Sequence, residues 1–193
     1  RDVLFDFKFY IITLTMQVFP TIATGVFVYQ SYITESKSWG NFVFAQAFMA
    51  YSIVSLITLL TAGFLVDKFS SRKLVSFINI PLIFALFVLV FFDHPYTAFI
   101  FLGLSGASNG LANVLGSSTW AELYGVRFIG SIKALTTAIM VFSTALGTAI
   151  FGILIDQGFT IEGIALTCAY YIILVTILLL VFRKSFEPIY LSE

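Results

Sequence analysis

Apolar residues run along the chain in long blocks separated by short polar connectors. Six blocks are long enough to cross a membrane, because a helical span needs about 20 mostly apolar residues. They cover approximately residues 9–33, 42–66, 74–92, 97–119, 130–155 and 164–182. The pattern therefore predicts an all-α integral membrane protein with six transmembrane helices.

The six predicted spans differ in polarity, and the difference repeats. The first and fourth spans each carry a polar stripe at helical spacing, whereas the third and sixth are almost uniformly apolar. The stripes consist of Thr13, Gln17, Thr21 and Thr24 in the first span and of Ser105, Asn109, Asn113, Gly116 and Ser117 in the fourth. This predicts two inverted three-helix repeats, whose first helices line a cavity and whose third helices face lipid.

Each stripe has two interpretations, because small polar residues also pack helices together within a membrane. Packing is favoured for the stripe residues Thr13, Thr24, Ser105 and Ser117, for the pair Gly106 and Gly110, and for the face of the fifth span with Thr136, Met140, Ser143, Thr144 and Gly147. Cavity lining is favoured for the bulkier amides, and Gln46 in the second span fits either role. The candidate substrate-binding residues are Gln17, Thr21, Gln46, Asn109, Asn113 and Met140.

Composition supports the membrane assignment and excludes several other classes. The 193 residues are 60% hydrophobic and only 10% charged, against roughly 25% charged in a soluble domain. Ten basic and ten acidic residues give no net charge, so nothing favours nucleic acid as a partner. Cys168 is the only cysteine, so neither a disulfide framework nor a cysteine metal site is predicted, and no cofactor is expected. The chain begins at Arg1 rather than Met, which predicts a piece of a longer protein.

The distribution of basic residues predicts the orientation of the chain in the membrane. Nine of the ten precede the first span or follow an even-numbered span, namely Arg1, Lys8, Lys68, Arg72, Lys73, Arg127, Lys133, Arg183 and Lys184. The remaining connectors hold Lys37 with Glu35, Asp93, His94, Asp156 and Glu162. The positive-inside rule therefore predicts a multi-pass protein of the inner or plasma membrane with both termini in the cytoplasm. Aromatic rings at span ends favour the membrane interface, as is expected for Trp39, Tyr96, Trp120 and Tyr124.

The connector after the second span carries a recognisable pattern. It reads Gly63-x-x-x-Asp67-Lys68-x-x-x-Arg72-Lys73 and resembles the loop signature of the major facilitator superfamily, with Ser70 at the position of the family's second glycine. RDVLFDFKFYIITL is similar to the entry of that family's seventh helix, and WAELYGVRFIGSIKAL (120–135) to the connector between the tenth and eleventh. ALGTAIFGILIDQG (145–158) resembles the eleventh helix of bacterial members near the monocarboxylate and oxalate/formate branch.

The resemblance implies that residues 1–193 form the C-terminal half of a twelve-helix transporter. Such a transporter works by alternating access around a midplane site that an N-terminal six-helix half would share. Other implied partners are membrane lipid, a small-molecule substrate and a possible coupling ion. A channel subunit, or another self-contained six-helix membrane protein, remains an alternative.

The signature residues Gly63, Asp67, Lys68, Arg72 and Lys73 are candidates for gating. The N-terminus of the fifth span, near Gly130 and Ser131, is predicted to lie on the same side as Asp67. A helix N-terminus attracts a carboxylate, which predicts a latch that closes the cytoplasmic side, and the resemblance implies the same contact. The basic members of the signature have a simpler interpretation as topology anchors beside anionic lipid.

The middle of each span contains no Asp, Glu, Lys, Arg or His. Embedded ionisable residues commonly mark proton relays and ligand counter-ions, so such a group is expected in the N-terminal half. This half offers amides, hydroxyls and aromatic rings such as Tyr29 and Tyr51, which suit a small polar or organic solute.

An intramembrane serine protease is the enzyme alternative, because Gly103-Leu104-Ser105-Gly106 resembles the rhomboid nucleophile motif. An activated serine needs a general base within hydrogen-bond reach. The sixth span has no histidine, and His94 precedes Ser105 by about 16 Å along a helix axis. We therefore predict a transporter and not an enzyme.

Overall fold

The computed structural model describes residues 2–182, and the regular structure of this part of the chain is helical. The helices are α1 (Asp2–Phe5), α2 (Phe7–Val28), α3 (Gln30–Ser36), α4 (Val43–Phe69), α5 (Ser71–Leu74), α6 (Ile80–Phe91), α7 (Tyr96–Tyr124), α8 (Ile129–Asp156) and α9 (Ile161–Phe182). A 3₁₀ turn at Val75–Phe77 joins α5 to α6, so these elements form one span from Ser71 to Phe91. Six segments of the described chain have membrane-spanning length and composition, which confirms the predicted fold class.

Three predicted boundaries are wrong, because a helix ends where its backbone turns rather than where its apolar residues end. The first span stops at Val28 instead of near residue 33, and α3 is a separate short helix after Tyr29. The second span continues to Phe69, which places Asp67 in the last turn of α4 instead of in a connector. The fourth span extends beyond residue 119 to Tyr124 and ends at Gly125, whose φ of 77° suits glycine.

Helix packing follows the predicted two-repeat organisation. The first repeat contributes α2, α4 and α5–α6, and the second contributes α7, α8 and α9. The second helix of each repeat packs on the first helix of the other, so α4 lies on α7 and α8 lies on α2. The third helices α6 and α9 pack on each other, and each also contacts the first helix of the other repeat. Each of these contacts made by a helix of the first repeat is therefore also made by the corresponding helix of the second repeat.

Connectors and helix ends meet at two ends of the bundle. At one end, Tyr124 Oη of α7 donates to Asp6 Oδ2 over 2.8 Å, and the rings of Phe7 and Phe182 pack 5.7 Å apart. We call this the basic end, because the basic residues of the described chain other than Lys37 belong to its helix ends and connectors: Lys8, Lys68, Arg72, Lys73, Arg127 and Lys133. The opposite end holds Lys37. The predicted basic residues Arg1, Arg183 and Lys184 lie outside the described residues.

Apolar side chains fill the space between the helices, but the spans are buried unequally. Fully buried residues include Phe9, Leu86, Leu102, Trp120 and Ile164. By contrast, α4 and α8 bury few side chains, and long apolar faces of both remain uncovered. Among the large exposed residues on these faces are Ile53, Leu56, Leu60, Phe64, Val141, Phe142, Leu146 and Ile153.

Candidate functional site

A cavity of about 220 Å³ lies between α2, α7 and α8. Four of the six predicted substrate-binding residues line it: Gln17, Asn109, Asn113 and Met140. Further lining residues, which the sequence argument did not assign to a site, include Thr13, Met16, Trp120, Thr136 and Thr137. We call this space the amide cavity, because three carboxamide side chains contribute to its wall.

Two of these amides are joined along α7. Asn113 Nδ2 donates to the backbone oxygen of Asn109 over 2.9 Å and lies 3.3 Å from its Oδ1. Asn109 Nδ2 in turn donates to Ser55 Oγ of α4 over 2.9 Å. Asn109 therefore combines both roles weighed for the stripe, since it lines the cavity and also links two helices.

Gln17 has one satisfied and one unsatisfied polar atom. Its Nε2 donates to the backbone oxygen of Thr136 over 3.1 Å, which connects α2 to α8. Its Oε1 is buried and has no hydrogen-bond partner in the described chain. An unpaired buried acceptor costs about 1–3 kcal/mol. Because Gln17 is only 7% exposed, this oxygen gains most from a donor that enters the adjoining space.

The remaining predicted residues lie elsewhere. Thr21 donates to the backbone oxygen of Gln17 over 2.6 Å and lines a larger crevice on the other side of α2. Gln46 is exposed on α4 and lines neither of these spaces. Trp120 was expected at the membrane interface, but it is 1% exposed and stacks on Tyr124. Trp120 is not an exposed ring at a span end, because α7 continues past it and α2 covers it. Phe9 of α2 packs 5.3 Å from its ring.

The expected contact between Asp67 and the N-terminus of α8 is not formed in this structure. Asp67 is exposed and makes no hydrogen bond or ion pair with another described residue. The first turn of α8 receives no side-chain cap either. A Cβ added to Gly63 would meet nothing within 4 Å, so this part of the chain does not itself require glycine there. The latch therefore stays a prediction that this conformation does not contain.

Glu122 at the end of α7 is the acidic partner that the sequence argument missed. Its carboxylate accepts hydrogen bonds from Ser70 Oγ at 2.7 Å and Ser71 N at 2.8 Å. It also accepts from the backbone N and the side-chain Nε of Arg72, each at 3.3 Å. Four donors from the α4–α5 turn thus converge on one carboxylate, which fastens the signature to the second repeat. The sequence did contain a signal for this contact. Glu122 is an acidic residue near the end of a span, at the end of the bundle where most basic residues lie.

A cluster of ion pairs lies at the opposite end of the bundle. Lys37 Nζ lies 2.5 Å from Asp93 Oδ1 and 2.7 Å from Glu162 Oε1, so the side chain that follows α3 joins the α6–α7 connector to the first turn of α9. Trp39 Nε1 adds a bond of 2.6 Å to the backbone oxygen of Asp93. Burial alone would lower the pKa of Lys37, but the hydrogen bonds and charges of the two carboxylates outweigh it and raise that pKa. The amine therefore remains protonated although its side chain is almost fully buried.

Ser105, the candidate protease nucleophile, is occupied within its own helix. Its hydroxyl donates to the backbone oxygen of Phe101 over 2.8 Å. His94 lies in the connector before α7, where its Nδ1 accepts from the backbone N of Tyr96 over 3.3 Å. Neither contact resembles the serine–base pair that nucleophilic catalysis needs.

Comparison with known proteins agrees with the predicted transporter fold. The family model described as Major Facilitator Superfamily matches residues 10–191, which is most of the chain. The search of curated proteins gives no significant match. That superfamily is made up of transporters rather than enzymes, and its members cross the membrane many times. The match and the six apolar spans together establish that the chain is a multi-pass membrane protein that belongs to the Major Facilitator Superfamily.

Proposed function

We propose that this chain is the C-terminal six-helix half of a secondary transporter that moves a small polar or organic solute by alternating access. The observation that carries the proposal is that Gln17 lines the amide cavity while its buried carbonyl oxygen has no hydrogen-bond partner in the described chain. A buried acceptor without a partner favours a ligand that brings a hydroxyl, amine or amide donor. Asn109 and Asn113 supply further carboxamide groups, and Met140 supplies an apolar contact.

The uncovered faces of α4 and α8 support a missing N-terminal half. These are the second helices of the two repeats, and each packs on only one side, against α7 and α2 respectively. Both helices carry rows of exposed large apolar residues, in addition to exposed polar positions such as Gln46 and Thr137. A second six-helix half would cover these faces and enclose the amide cavity between the halves.

The basic end supports the proposed orientation. The positive-inside rule assigns the end with Lys68, Arg72 and Lys73 to the cytoplasm, and hence both termini to that side of the inner or plasma membrane. Since the middle of each span lacks ionisable residues, a coupling ion or an anionic substrate would depend on a charge in the other half. The resemblance to the monocarboxylate and oxalate/formate branch makes small carboxylates the first solutes to try.

Uptake by cells that express the natural gene tests the proposal. A panel of radiolabelled small carboxylates and neutral polar solutes identifies the one whose accumulation depends on the gene. Gln17→Leu should then lower kcat/KM for this solute about tenfold, because loss of a hydrogen bond to a bound ligand costs on the order of 1.4 kcal/mol. Protein abundance in the membrane should not change.

Gln30→Leu is the matched control, because it makes the same change on the exposed short helix α3, outside the membrane spans. Its kinetics should stay near those of the unmodified transporter. Unchanged uptake in Gln17→Leu would remove the amide cavity from the transport path. A strong loss in Gln46→Leu but not in Gln17→Leu would instead place the site on the α4 face. If no solute in a broad panel depends on the gene, the transport proposal itself fails.

A further inference from the structure

A second, larger space lies on the other side of α2 from the amide cavity. It has a volume of about 700 Å³ and is bounded by α2, α8 and α9. Both α8 and α9 pack on α2, but they make little contact with each other. This leaves a crevice with α2 as its floor and the other two helices as its walls. Thr13 and Gln17 line both spaces and so separate them.

The crevice has a buried floor and an exposed rim. Ile22 on the floor and Phe151 and Cys168 on the two walls are almost fully buried. At the rim, Tyr10 is 54% and Leu146 is 62% exposed. The space therefore opens on the surface of the described bundle.

The chemistry of the lining is mostly apolar. Of the hydroxyl groups, Thr21 donates to the backbone oxygen of Gln17, and Thr167 donates to the backbone oxygen of Gly163 over 2.9 Å. These two hydroxyls are satisfied within their own helices, whereas Thr13 Oγ1 and Gln17 Oε1, on residues that line both spaces, are buried without a partner in the described chain. The walls otherwise present aliphatic and aromatic carbon, for example from Ile139, Ile150 and Leu154. Such a surface suits a hydrocarbon chain.

The length of the crevice matches one leaflet of a membrane. From Tyr10 to Ile22 it follows α2 for about 18 Å at 1.5 Å per residue. One leaflet of the hydrocarbon core is about 15 Å thick. A lipid acyl chain that enters the crevice can therefore lie along it at nearly full extension.

The basic end supplies charge at one mouth of the crevice. Lys8 lies in the first turn of α2, and Phe7 beside it packs against Phe182, the last described residue of α9. Each basic residue near a membrane surface attracts anionic lipid by about 1 kcal/mol.

We propose that the crevice between α2, α8 and α9 holds one acyl chain of an anionic phospholipid whose headgroup lies at the basic end. A chain in this position contacts three helices, whereas a chain on an ordinary span contacts one. The additional contacts each contribute little, but together they retain this lipid longer than its neighbours. The lipid also fills the gap that α8 and α9 leave over α2.

Photocross-linking in membranes that contain the natural, full-length gene product tests the proposal. The probe is a phosphatidylglycerol with a diazirine near the middle of one acyl chain, and the cross-linked peptides are located by mass spectrometry. Cross-links should concentrate on the α8 and α9 walls relative to the exposed face of α6, which carries Phe84 and Phe91. The same probe with a phosphatidylcholine headgroup should label the walls about fivefold less, given the contribution of one basic residue.

Ser143→Phe and Thr167→Phe narrow the crevice from its two walls. Each should lower wall labelling at least about fourfold, the factor expected for displacing one buried methylene. Ile177→Phe is the control on an exposed part of α9 that does not line the crevice, and it should leave wall labelling unchanged. Labelling of the α6 face reports that each variant has folded.

Three outcomes would overturn the proposal. Equal labelling of the walls and the α6 face would mean that the crevice holds no preferred chain. Wall labelling that persists in both Phe variants would mean the same. Equal wall labelling by the phosphatidylglycerol and phosphatidylcholine probes would show that the crevice does not prefer an anionic lipid. None of these readouts depends on transport, so they are independent of the proposed function.

Discussion

Ser70 Oγ donates to Glu122 Oε2 over 2.7 Å, while the backbone of Ser70 has a φ of 66°. Positive φ is costly for a residue with a Cβ and is readily adopted by glycine. The position where the family signature has glycine therefore does require glycine-like backbone here. Serine occupies it and gains a bond to a carboxylate that glycine cannot make.

Two substitutions separate the strain at Ser70 from its hydrogen bond. Ser70→Ala keeps the strain and loses the bond, and should lower the free energy of unfolding by about 1.5–3 kcal/mol. Ser70→Gly loses the same bond but relieves about 1–3 kcal/mol of backbone strain, and should stay near the unmodified protein. Thermal unfolding in detergent measures both, with Ser52→Ala as the control for a hydroxyl bonded within its own helix. Equal melting temperatures for the two Ser70 variants would show that the backbone is not strained.

Asp67 should matter for transport but not for the stability of the described helices. Because it contacts no described side chain, Asp67→Asn should leave the unfolding temperature of the chain unchanged. If the carboxylate closes the cytoplasmic side against a helix N-terminus, transport should fall about fivefold, which corresponds to roughly 1 kcal/mol. Asp67→Glu keeps the charge and should retain most transport. Full activity of Asp67→Asn would remove the latch hypothesis.

Protonated Lys37 should stabilise the folded protein at every pH near neutrality. This stabilisation should be lost only in strong alkali. Its carboxylate partners raise the pKa of Lys37, so the folded chain holds this proton more tightly than the unfolded chain. Its contribution is therefore complete below the unfolded pKa of about 10.4 and is lost as pH rises through the higher folded pKa.

The Lys37 prediction is checked by comparing the unmodified protein with Lys37→Met between pH 6 and pH 11. The variant should be less stable by about 1.5–3 kcal/mol, the worth of hydrogen bonds to charged groups. The difference should be constant to about pH 10 and shrink above it. A difference that shrinks between pH 7 and pH 9 would mean that the pKa is lowered by burial instead.

Gly110 should not tolerate a side chain, because α4 lies against it. A Cβ at this position would lie 2.6 Å from the backbone oxygen of Ser55, whereas one at Gly116 would meet nothing within 4 Å. Gly116→Ala should therefore stabilise α7 by up to about 1 kcal/mol through helix propensity. Gly110→Ala should lower the melting temperature, because α4 and α7 must separate. Similar melting temperatures for both variants would contradict the close approach.

The sequence was sufficient for features that depend on composition and helical period. Six spans, their grouping into two repeats and the close contact at Gly106 and Gly110 all follow from apolar length and residue size, and the structure contains them. Gln17, Asn109 and Asn113 were placed on inward faces by spacing alone, and they share one cavity. Their role in binding stays a prediction.

Long-range polar partners could not be inferred in the same way. Glu122 and Ser70 are 52 residues apart, and Asn79 donates to the backbone oxygen of Thr15 across a separation of 64 residues. Such pairs depend on how far each helix extends and how it is rotated. Asp67 shows the same difficulty, since α4 continues past it and leaves it exposed on a helix surface.

The pairing of α2 with α8 also sets an order of events during synthesis. Gln17 and the backbone oxygen of Thr136 that it binds are 119 residues apart. At roughly 5–20 residues per second, α8 is made about 6–24 s after α2. Throughout that interval the polar stripe of α2 lacks its final partner in the bilayer. The first span of this chain therefore depends on a temporary partner, such as water, another helix or the insertion machinery, until the fifth span is made.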